Sequence, residues 1–252
     1  MRRYALRDDQ WARIERLLPG RAGHVGGTAA DNRLFVDAVL YRYRAGIPWA
    51  DPPERFGKAE SIGQRFRRWA VGGVWRRLFA ALSADADNEC ALLDATIVRA
   101  HQHSAGARKK GATAEAIGRS RGGLMTKIHA VTDALGNPVA FHRTGGQAHD
   151  LDGADALLSG IAAPTVIADK GDDAEARVLA PLREAGKAAV IPPKRNRQAP
   201  RDDDRDLYRG RHLIEHFFAK LKQFRGIATR YDKTKCSFLG GVSLAASAIP
   251  LN

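Results

Sequence analysis

Apolar residues recur at helical spacing along the first 82 positions of the chain. Four helices are predicted from this spacing, with apolar residues at Trp11, Ile14, Leu17 and Leu18, then Leu34, Phe35, Ala38, Val39 and Tyr41, then Ile62, Phe66 and Trp69, and last Trp75, Leu78 and Phe79. Asp31 and Ser61 precede the second and third helices as side-chain caps. The third helix carries Arg65, Arg67 and Arg68 away from its apolar stripe. The pattern predicts a small all-α domain over residues 1–82, either helix-turn-helix-like and DNA-reading or a plain helical bundle.

From residue 88 onward the pattern changes to short apolar runs that alternate with helical segments. Such runs are typical of buried strands. Strands are predicted at 90–98, 127–132, 138–144, 165–171 and 188–191, and helices at 151–158, 174–185 and 238–251. The alternation predicts a second domain of the α/β class over residues 88–252.

Two acids lie in or at the end of predicted strands. Asp94 interrupts an apolar run, and Asp169 ends another just before a glycine turn. A buried acid must be paired, bind a metal or lie where the strand emerges, so a structural role stays open for Asp94. Acids at the carboxyl ends of strands in α/β sheets lie where ligands bind. Asp150 is predicted to cap the helix after it and is the main rival for a catalytic carboxylate.

The segment 208–222, YRGRHLIEHFFAKLK, is predicted to form one amphipathic helix. At roughly 100° per residue, its polar side chains Tyr208, Arg211, Glu215 and Lys222 project from one stripe about 60° wide. The opposite side is apolar and would attach the helix to a core. An acid flanked by two cations and a phenol suits a metal-binding carboxylate held against a phosphate backbone. An ordinary charged surface helix is the alternative.

Composition and charge add a class of partner to this picture. Lys and Arg number 41 against 28 Asp and Glu, and the sequence pI is about 10.2, which favours a polyanion such as nucleic acid. Residues 1–80 hold 16 basic and 8 acidic side chains, whereas residues 131–200 hold 8 and 9. The Gly-rich segment 99–127 is predicted to be a basic loop that lies against phosphates, with Arg119, Arg121 and Lys127 in contact. A solvated tether is the alternative.

Other classes of protein find little support in the sequence. The two cysteines lack the spacing of a zinc site and are too few for a disulfide framework. There is no run of about 18 apolar residues and no secretory leader pattern, so a cytoplasmic protein with no membrane partner is expected.

Several motifs resemble those of DDE transposases from bacterial insertion sequences, the insertion-sequence-five family in particular. The spacing Y-x2-R-x3-E-x6-K at 208–222, ADKG at 168–171 and LLDAT at 92–96 carry the resemblance, together with DNRLFVDAVLYRYRAGIPW near the N-terminus. The order of predicted elements also resembles a ribonuclease-H-like fold, a mixed sheet with flanking helices. The resemblance implies that Asp94, Asp169 and Glu215 are the catalytic, metal-binding acids, and that Tyr208, Arg211 and Lys222 contact DNA.

The same resemblance implies a Mg-dependent DNA transposase. An oxygen-only ligand set favours two Mg²⁺ ions, with Mn²⁺ possible in their place. The implied partners are double-stranded DNA, at the transposon ends and at the target, and at least one further copy of the chain. A nuclease that does not join strands and a DNA-binding regulator with structural acids remain alternatives. Pro52, Asp172 and Pro250 depart from the family pattern and keep open a catalytically degenerate copy.

Overall fold

The secondary structure follows the predicted succession of helices and then alternating strands and helices. A computed structural model describes residues 4–21, 23, 27–105, 115–195 and 204–251. Its α-helices are α1 Asp8–Ile14, α2 Asn32–Ala45, α3 Ala59–Val71, α4 Val74–Leu82, α5 Gln102–Ala105, α6 Leu151–Leu157, α7 Ala180–Glu184, α8 Arg205–Arg209, α9 His212–Lys222, α10 Arg225–Ala228 and α11 Lys235–Ala248. Its strands are β1 Ala91–Ala100, β2 Gly118–Ser120, β3 Gly123–Thr132, β4 Pro138–Gly145, β5 Thr165–Ala168, β6 Ala188–Val190 and β7 Thr229–Arg230. Within these ranges no helix is long and apolar enough to cross a membrane.

The chain divides into two compact units. One consists of Met1–Ala84, Ala100–Lys109 and Lys220–Asn252, and the other of Asp85–Arg99 and Lys110–Ala219. The first break falls close to the predicted one between residues 82 and 88. The last 33 residues, Lys220–Asn252, belong to the same unit as the N-terminal helices. The assignment of DNA binding to 1–82 and of catalysis to 88–252 stays a prediction.

Helix α11 completes the core of the helical unit by packing on α3 and α4. Two glycines of α11 make this close approach possible. A Cβ at Gly240 would lie 3.0 Å from Cδ1 of Trp75, and one at Gly241 would lie 2.2 Å from Cζ of Tyr43. Both aromatic side chains are 1% exposed. The α11 sequence therefore fits a groove lined by large aromatic rings because it lacks side chains at these two positions.

A buried carboxylate ties the middle of the helical unit together. Asp232 accepts hydrogen bonds from Tyr43 Oη at 2.9 Å and from Trp49 Nε1 at 3.3 Å. The guanidinium of Arg42 lies 3.5 Å from the same side chain, and both partners are 2% exposed. A buried charge is costly unless it is paired and hydrogen-bonded, and Asp232 meets both conditions. Burial also raises the pKa of Tyr43 well above its usual value, with the charge of Asp232 adding to the effect.

The helix starts were predicted with mixed success. Asp31 caps α2 as expected, since its carboxylate accepts the N–H of Leu34 at 2.8 Å. The prediction for Ser61 is wrong. Helix α3 begins at Ala59, so Ser61 lies in its first turn.

The other unit is a mixed sheet with β1 at its centre. β1 runs antiparallel to β3 and parallel to β5, and the strand order along the sheet is β4, β3, β1, β5, β6, with β2 also paired to β3. One face packs on α6 and on the π-helical turn Glu175–Leu179 through a cluster of buried apolar residues that includes Leu93, Val131 and Val166. This arrangement confirms the predicted α/β class with a ribonuclease-H-like mixed sheet and flanking helices.

The segment 99–127 differs from the single basic loop that was predicted. β1 extends to Ala100, α5 follows, and the hairpin of β2 and β3 begins at Gly118. Arg108, Lys109 and Lys110, which contributed to the predicted basic character, lie outside the described residues. Strand β3 begins before Lys127 because Leu124 pairs with Arg119 of β2 and Met125 pairs with Arg99 of β1.

Candidate active site

The first two predicted acids come from neighbouring parallel strands. Leu93 of β1 is in register with Ala168 of β5. Asp94 and Asp169 are the next residue in each case, so the chain brings both to the point where β5 ends. Asp94 lies inside β1, and its Oδ1 accepts the N–H of Ala95 at 2.7 Å. The position of Asp169 agrees with the prediction of an acid at the carboxyl end of a strand.

The third acid lies on a helix that is shorter than predicted. Residues 208–222 do not form one helix, because α8 ends at Arg209 and α9 begins at His212. Asp204 caps α8 by accepting the N–H groups of Asp206 and Leu207, and Gly210, a poor helix former, separates the two helices. Glu215 lies in the first turn of α9.

Arg211 connects the first and third acids. Its Nη2 lies 2.8 Å from Oδ2 of Asp94, and its Nη1 lies 2.6 Å from Oε1 of Glu215. The side chains of Arg211 and Asp94 are only 19% and 18% exposed, whereas that of Glu215 is 55% exposed. One guanidinium thus holds two carboxylates that are supplied by a strand and a helix.

Tyr208 approaches the second acid. Its hydroxyl donates to Oδ1 of Asp169 over 3.5 Å, and the same oxygen accepts the N–H of Lys170 at 2.7 Å. Burial raises the pKa of Tyr208, and the charge of Asp169 raises it further. Tyr208 therefore stays a neutral hydrogen-bond donor to Asp169 in the physiological range.

The electrostatics of Asp94 indicate that the three acids interact. Burial is the largest cause of its raised pKa, and the Arg211 guanidinium opposes that effect. The charges of Asp169 and Glu215 also raise the pKa of Asp94. Such mutual repulsion is relieved by a bridging cation.

The donor chemistry of this cluster fits a hard divalent ion. Asp94, Asp169 and Glu215 supply carboxylate oxygens without thiolate or imidazole, and these are the ligands of Mg²⁺ and Mn²⁺. Among the described residues, no three His, Cys, Asp or Glu side chains already surround one common point. Between Asp94 and Glu215 that position belongs to the guanidinium of Arg211.

A fourth carboxyl group lies near these acids and had no role in the predicted site. Asp172 is 4% exposed, and its pKa is raised to about 7. Burial is the main cause, and the charges of Asp150, Asp94 and Asp169 add to it. The sequence signal was a departure from the family pattern, since Asp172 directly follows ADKG as the first of two consecutive acids before a helix, but this signal carried no information about burial.

Lys127 is not placed where it was predicted to act. It is 7% exposed within β3, and its Nζ binds the carbonyl of Ala148 at 2.7 Å and Oδ1 of Asp150 at 2.8 Å. A lysine held inside the protein by a carboxylate does not reach a DNA backbone. Asp150 stands before α6 as predicted, but its side chain makes no cap hydrogen bond and pairs with Lys127 instead.

The remaining predicted DNA contacts divide into exposed and packed side chains. Arg65 is half-buried, because its guanidinium stacks on Phe35 and Trp69 and hydrogen-bonds Asn32. The other cations are exposed, namely Arg67 and Arg68 on α3, Arg119 and Arg121 on the β2–β3 hairpin, and Lys222 in the last turn of α9. Arg65 is thus part of the packing of the helical unit, while these five cations face solvent.

Comparisons with known proteins identify the family. The family described as "Putative transposase of IS4/5 family" matches residues 6–79, and the one described as "Transposase DDE domain" matches residues 85–235. No solved structure matches the chain.

Three relatives each match part of the chain. "Uncharacterized protein y4sN" of Sinorhizobium fredii (strain NBRC 101917 / NGR234) is 43% identical over 122 residues, which are 48% of this chain and 90% of that protein. "Putative transposase for insertion sequence element IS6501" of Brucella ovis (strain ATCC 25840 / 63/290 / NCTC 10512) is 41% identical over 130 residues, 50% of this chain and 98% of that protein. "Insertion element IS402 uncharacterized 16.2 kDa protein" of Burkholderia cepacia is 32% identical over 83 residues, 31% of this chain and 56% of that protein.

The predicted resemblance is confirmed by these matches. The DDE domain covers more than half of the chain, and the IS4/5 match covers the helical segment in front of it. The chain belongs to the transposase DDE domain family, with an N-terminal segment of the IS4/5 transposases.

Proposed function

We propose that the protein binds the terminal inverted repeats of its own insertion sequence and catalyses strand cleavage and strand transfer with divalent metal. The observation that carries the proposal is the meeting of Asp94 and Glu215 on one guanidinium, 2.8 and 2.6 Å away, beside Asp169 at the end of β5. These acids come from a strand, a strand end and a helix that are far apart in the chain. Their meeting is the expected feature of a site built for phosphoryl transfer.

The three acids would hold two Mg²⁺ ions, or Mn²⁺ in their place. When bound, the ions would activate water or a 3′-hydroxyl and stabilise the leaving oxygen. The protein itself orients the carboxylates and shields them partly from solvent. Tyr208 orients Asp169 through its hydroxyl, and the N–H of Ala95 orients Asp94.

Contact with DNA is assigned to the exposed cations. Arg67 and Arg68 on α3 would read base edges, since arginine pairs with guanine through two hydrogen bonds. Arg119, Arg121 and Lys222 would contact phosphates, which is a sequence-independent and salt-sensitive contribution. The partners are double-stranded DNA at the element's ends and at the target, and a dimer or larger assembly of this chain joins the two ends.

The test is strand cleavage and joining on DNA that carries the element's ends. Glu215→Gln keeps the size and hydrogen-bonding capacity of the side chain but removes its charge, so cleavage in Mg²⁺ should fall by orders of magnitude. Glu184→Gln is the matched control, because Glu184 is exposed at the end of α7 in the same unit. Near wild-type cleavage by Glu215→Gln refutes the site.

Two other outcomes identify the alternatives. Cleavage without joining of a supplied 3′-hydroxyl end would indicate a nuclease. Binding to DNA that is unchanged by chelator, together with no cleavage in Mn²⁺, would indicate a regulator or a degenerate copy.

A further inference from the structure

We propose that Arg211 is the counter-cation of the metal-free site and competes with divalent metal for Asp94 and Glu215. This inference rests on the proposed function, since it concerns the same three acids. The guanidinium donates to Oδ2 of Asp94 and to Oε1 of Glu215, at 2.8 and 2.6 Å. A positive group already lies where an ion bridging these two acids would lie.

The oxygens of Asp94 are both in use. Oδ1 accepts the N–H of Ala95, and Oδ2 accepts from Arg211. A metal ion that binds Asp94 through Oδ2 must therefore take that oxygen from the guanidinium. Glu215 is half-exposed and accepts one hydrogen bond from Arg211, so it is the more easily released of the two carboxylates.

Arg211 is held in a way that permits displacement. It lies at the break between α8 and α9, where Gly210 precedes it, and not inside a helix. Its Nε is buried, and no described residue accepts a hydrogen bond from it. Within the part of the chain that the structure describes, the guanidinium donates to these two carboxylates, and loss of both contacts frees the long side chain to turn away.

Displacement would link metal binding to DNA binding. A guanidinium released from the acids presents its planar fork to phosphate, the ligand for which that geometry is suited. Arg211 is therefore a positioning residue. It neutralises the acids before metal arrives and becomes free for the DNA backbone afterwards.

The experiment measures Mn²⁺ binding to the full chain without DNA, by the electron paramagnetic resonance signal of free Mn²⁺. Arg211→Gln should bind Mn²⁺ roughly ten-fold more tightly, because a competing charge-assisted hydrogen bond to each acid is lost. Its melting temperature in EDTA should fall below that of the wild type, and Mn²⁺ should raise it by more. Arg209→Gln is the control, since Arg209 and its partner Asp206 are 81% and 86% exposed.

Arg211→Lys keeps the charge but cannot hold two carboxylates through a fork, so its Mn²⁺ affinity should lie between those of the wild type and Arg211→Gln. It also gives a result if the Gln variant does not fold. Affinity that is equal to the wild type or weaker in folded Arg211 variants overturns the inference.

Failure of the inference is distinguishable from failure of the proposed site. Asp94→Asn and Glu215→Gln should each weaken Mn²⁺ binding. If they do so while the Arg211 variants match the wild type, the metal site stands and the competition does not. If neither acid variant changes Mn²⁺ binding, the metal site itself is wrong and the inference falls with it.

Discussion

The stability of the helical unit should depend on the absence of a side chain at Gly241. An added Cβ at this position would lie 2.2 Å from Cζ and 2.4 Å from Oη of Tyr43. Real Cβ contacts are not this short, so Gly241→Ala must move the ring or the helix. The ring is fully buried and its hydroxyl donates to Asp232 at 2.9 Å, so the ring cannot move away without losing packing or this hydrogen bond.

The size of the effect follows from two losses. Overpacking of a core costs about 1–3 kcal/mol, and a lost hydrogen bond to a buried carboxylate costs about 1.5–3 kcal/mol. Together they amount to about 2.5–6 kcal/mol. At about 2–4 °C per kcal/mol for a chain of this size, the Tm falls by about 5–24 °C.

Thermal unfolding followed by circular dichroism measures this change. Gly27→Ala is the matched control, because a Cβ there meets nothing within 4 Å and Gly27 belongs to the same unit. A double-mutant cycle with Tyr43→Leu locates the cause, since Gly241→Ala should cost less when the ring is absent. Equal melting of Gly241→Ala and Gly27→Ala, or additive effects in the cycle, would refute the reasoning.

Two further predictions concern the fold of the helical unit and the pH dependence of the sheet. Residues 1–82 alone should fail to unfold cooperatively in a circular dichroism melt, because α11 completes their core, whereas the same residues joined to 220–252 by a flexible linker should fold. A cooperative melt of residues 1–82 alone would contradict this expectation. In a competition assay, the joined form should prefer the element's ends over random DNA. Replacing both Arg67 and Arg68 by Ala should flatten that preference. Burial lowers the pKa of His129 to about 4, so the folded state takes up its proton less readily than the unfolded chain, and stability should fall as pH drops from about 6.5 toward 4, by at most about 3 kcal/mol. His129→Gln should flatten this slope in urea titrations at several pH values, and an unchanged slope would assign the pH dependence to other groups.

The order of helices and strands could be predicted from the local pattern of apolar residues, but the unit to which each element belongs could not. Apolar runs such as Thr165–Ala168 become buried strands in any α/β context, so their type was predictable. The placement of α11 depends on Gly240 and Gly241 meeting Trp75 and Tyr43, which are about 165 and 198 positions away. Periodicity within α11 carries no information about which aromatic residues it meets. Residues 220–252 were therefore grouped with the sheet, their neighbour in sequence.

Sequence patterns also fail to predict which basic side chains are buried. Lys127 and Arg65 are cations in a basic context, and sequence gives no sign that one binds Asp150 inside the protein and the other stacks on Phe35. Arg67 and Arg68 lie on the side of α3 that faces away from its apolar stripe, so their exposure was predictable. The difference is whether burial is decided by the residue's own helix or by a distant partner.

In the signature Y-x2-R-x3-E-x6-K, the predicted proximity of Arg211 and Glu215 is correct although residues 208–222 do not form the single predicted helix. Arg211 and Glu215 are four residues apart at the start of α9, so they meet as one helical turn requires even though Arg211 stands just before the helix. Tyr208 lies on the other side of the break, and it reaches Asp169 of the sheet instead of joining the stripe. The break thus lets Tyr208 contact Asp169 while Arg211 contacts Glu215, whereas one continuous helix would have placed all of these side chains on a single stripe.

The contact between Asp94 and Arg211 could not be predicted from local sequence. Asp94 is partly buried, and its charge requires a compensating cation. No local pattern tells whether that cation is a metal ion or an arginine 117 positions along the chain. The structure supplies the arginine, and the competition between arginine and metal follows from that contact.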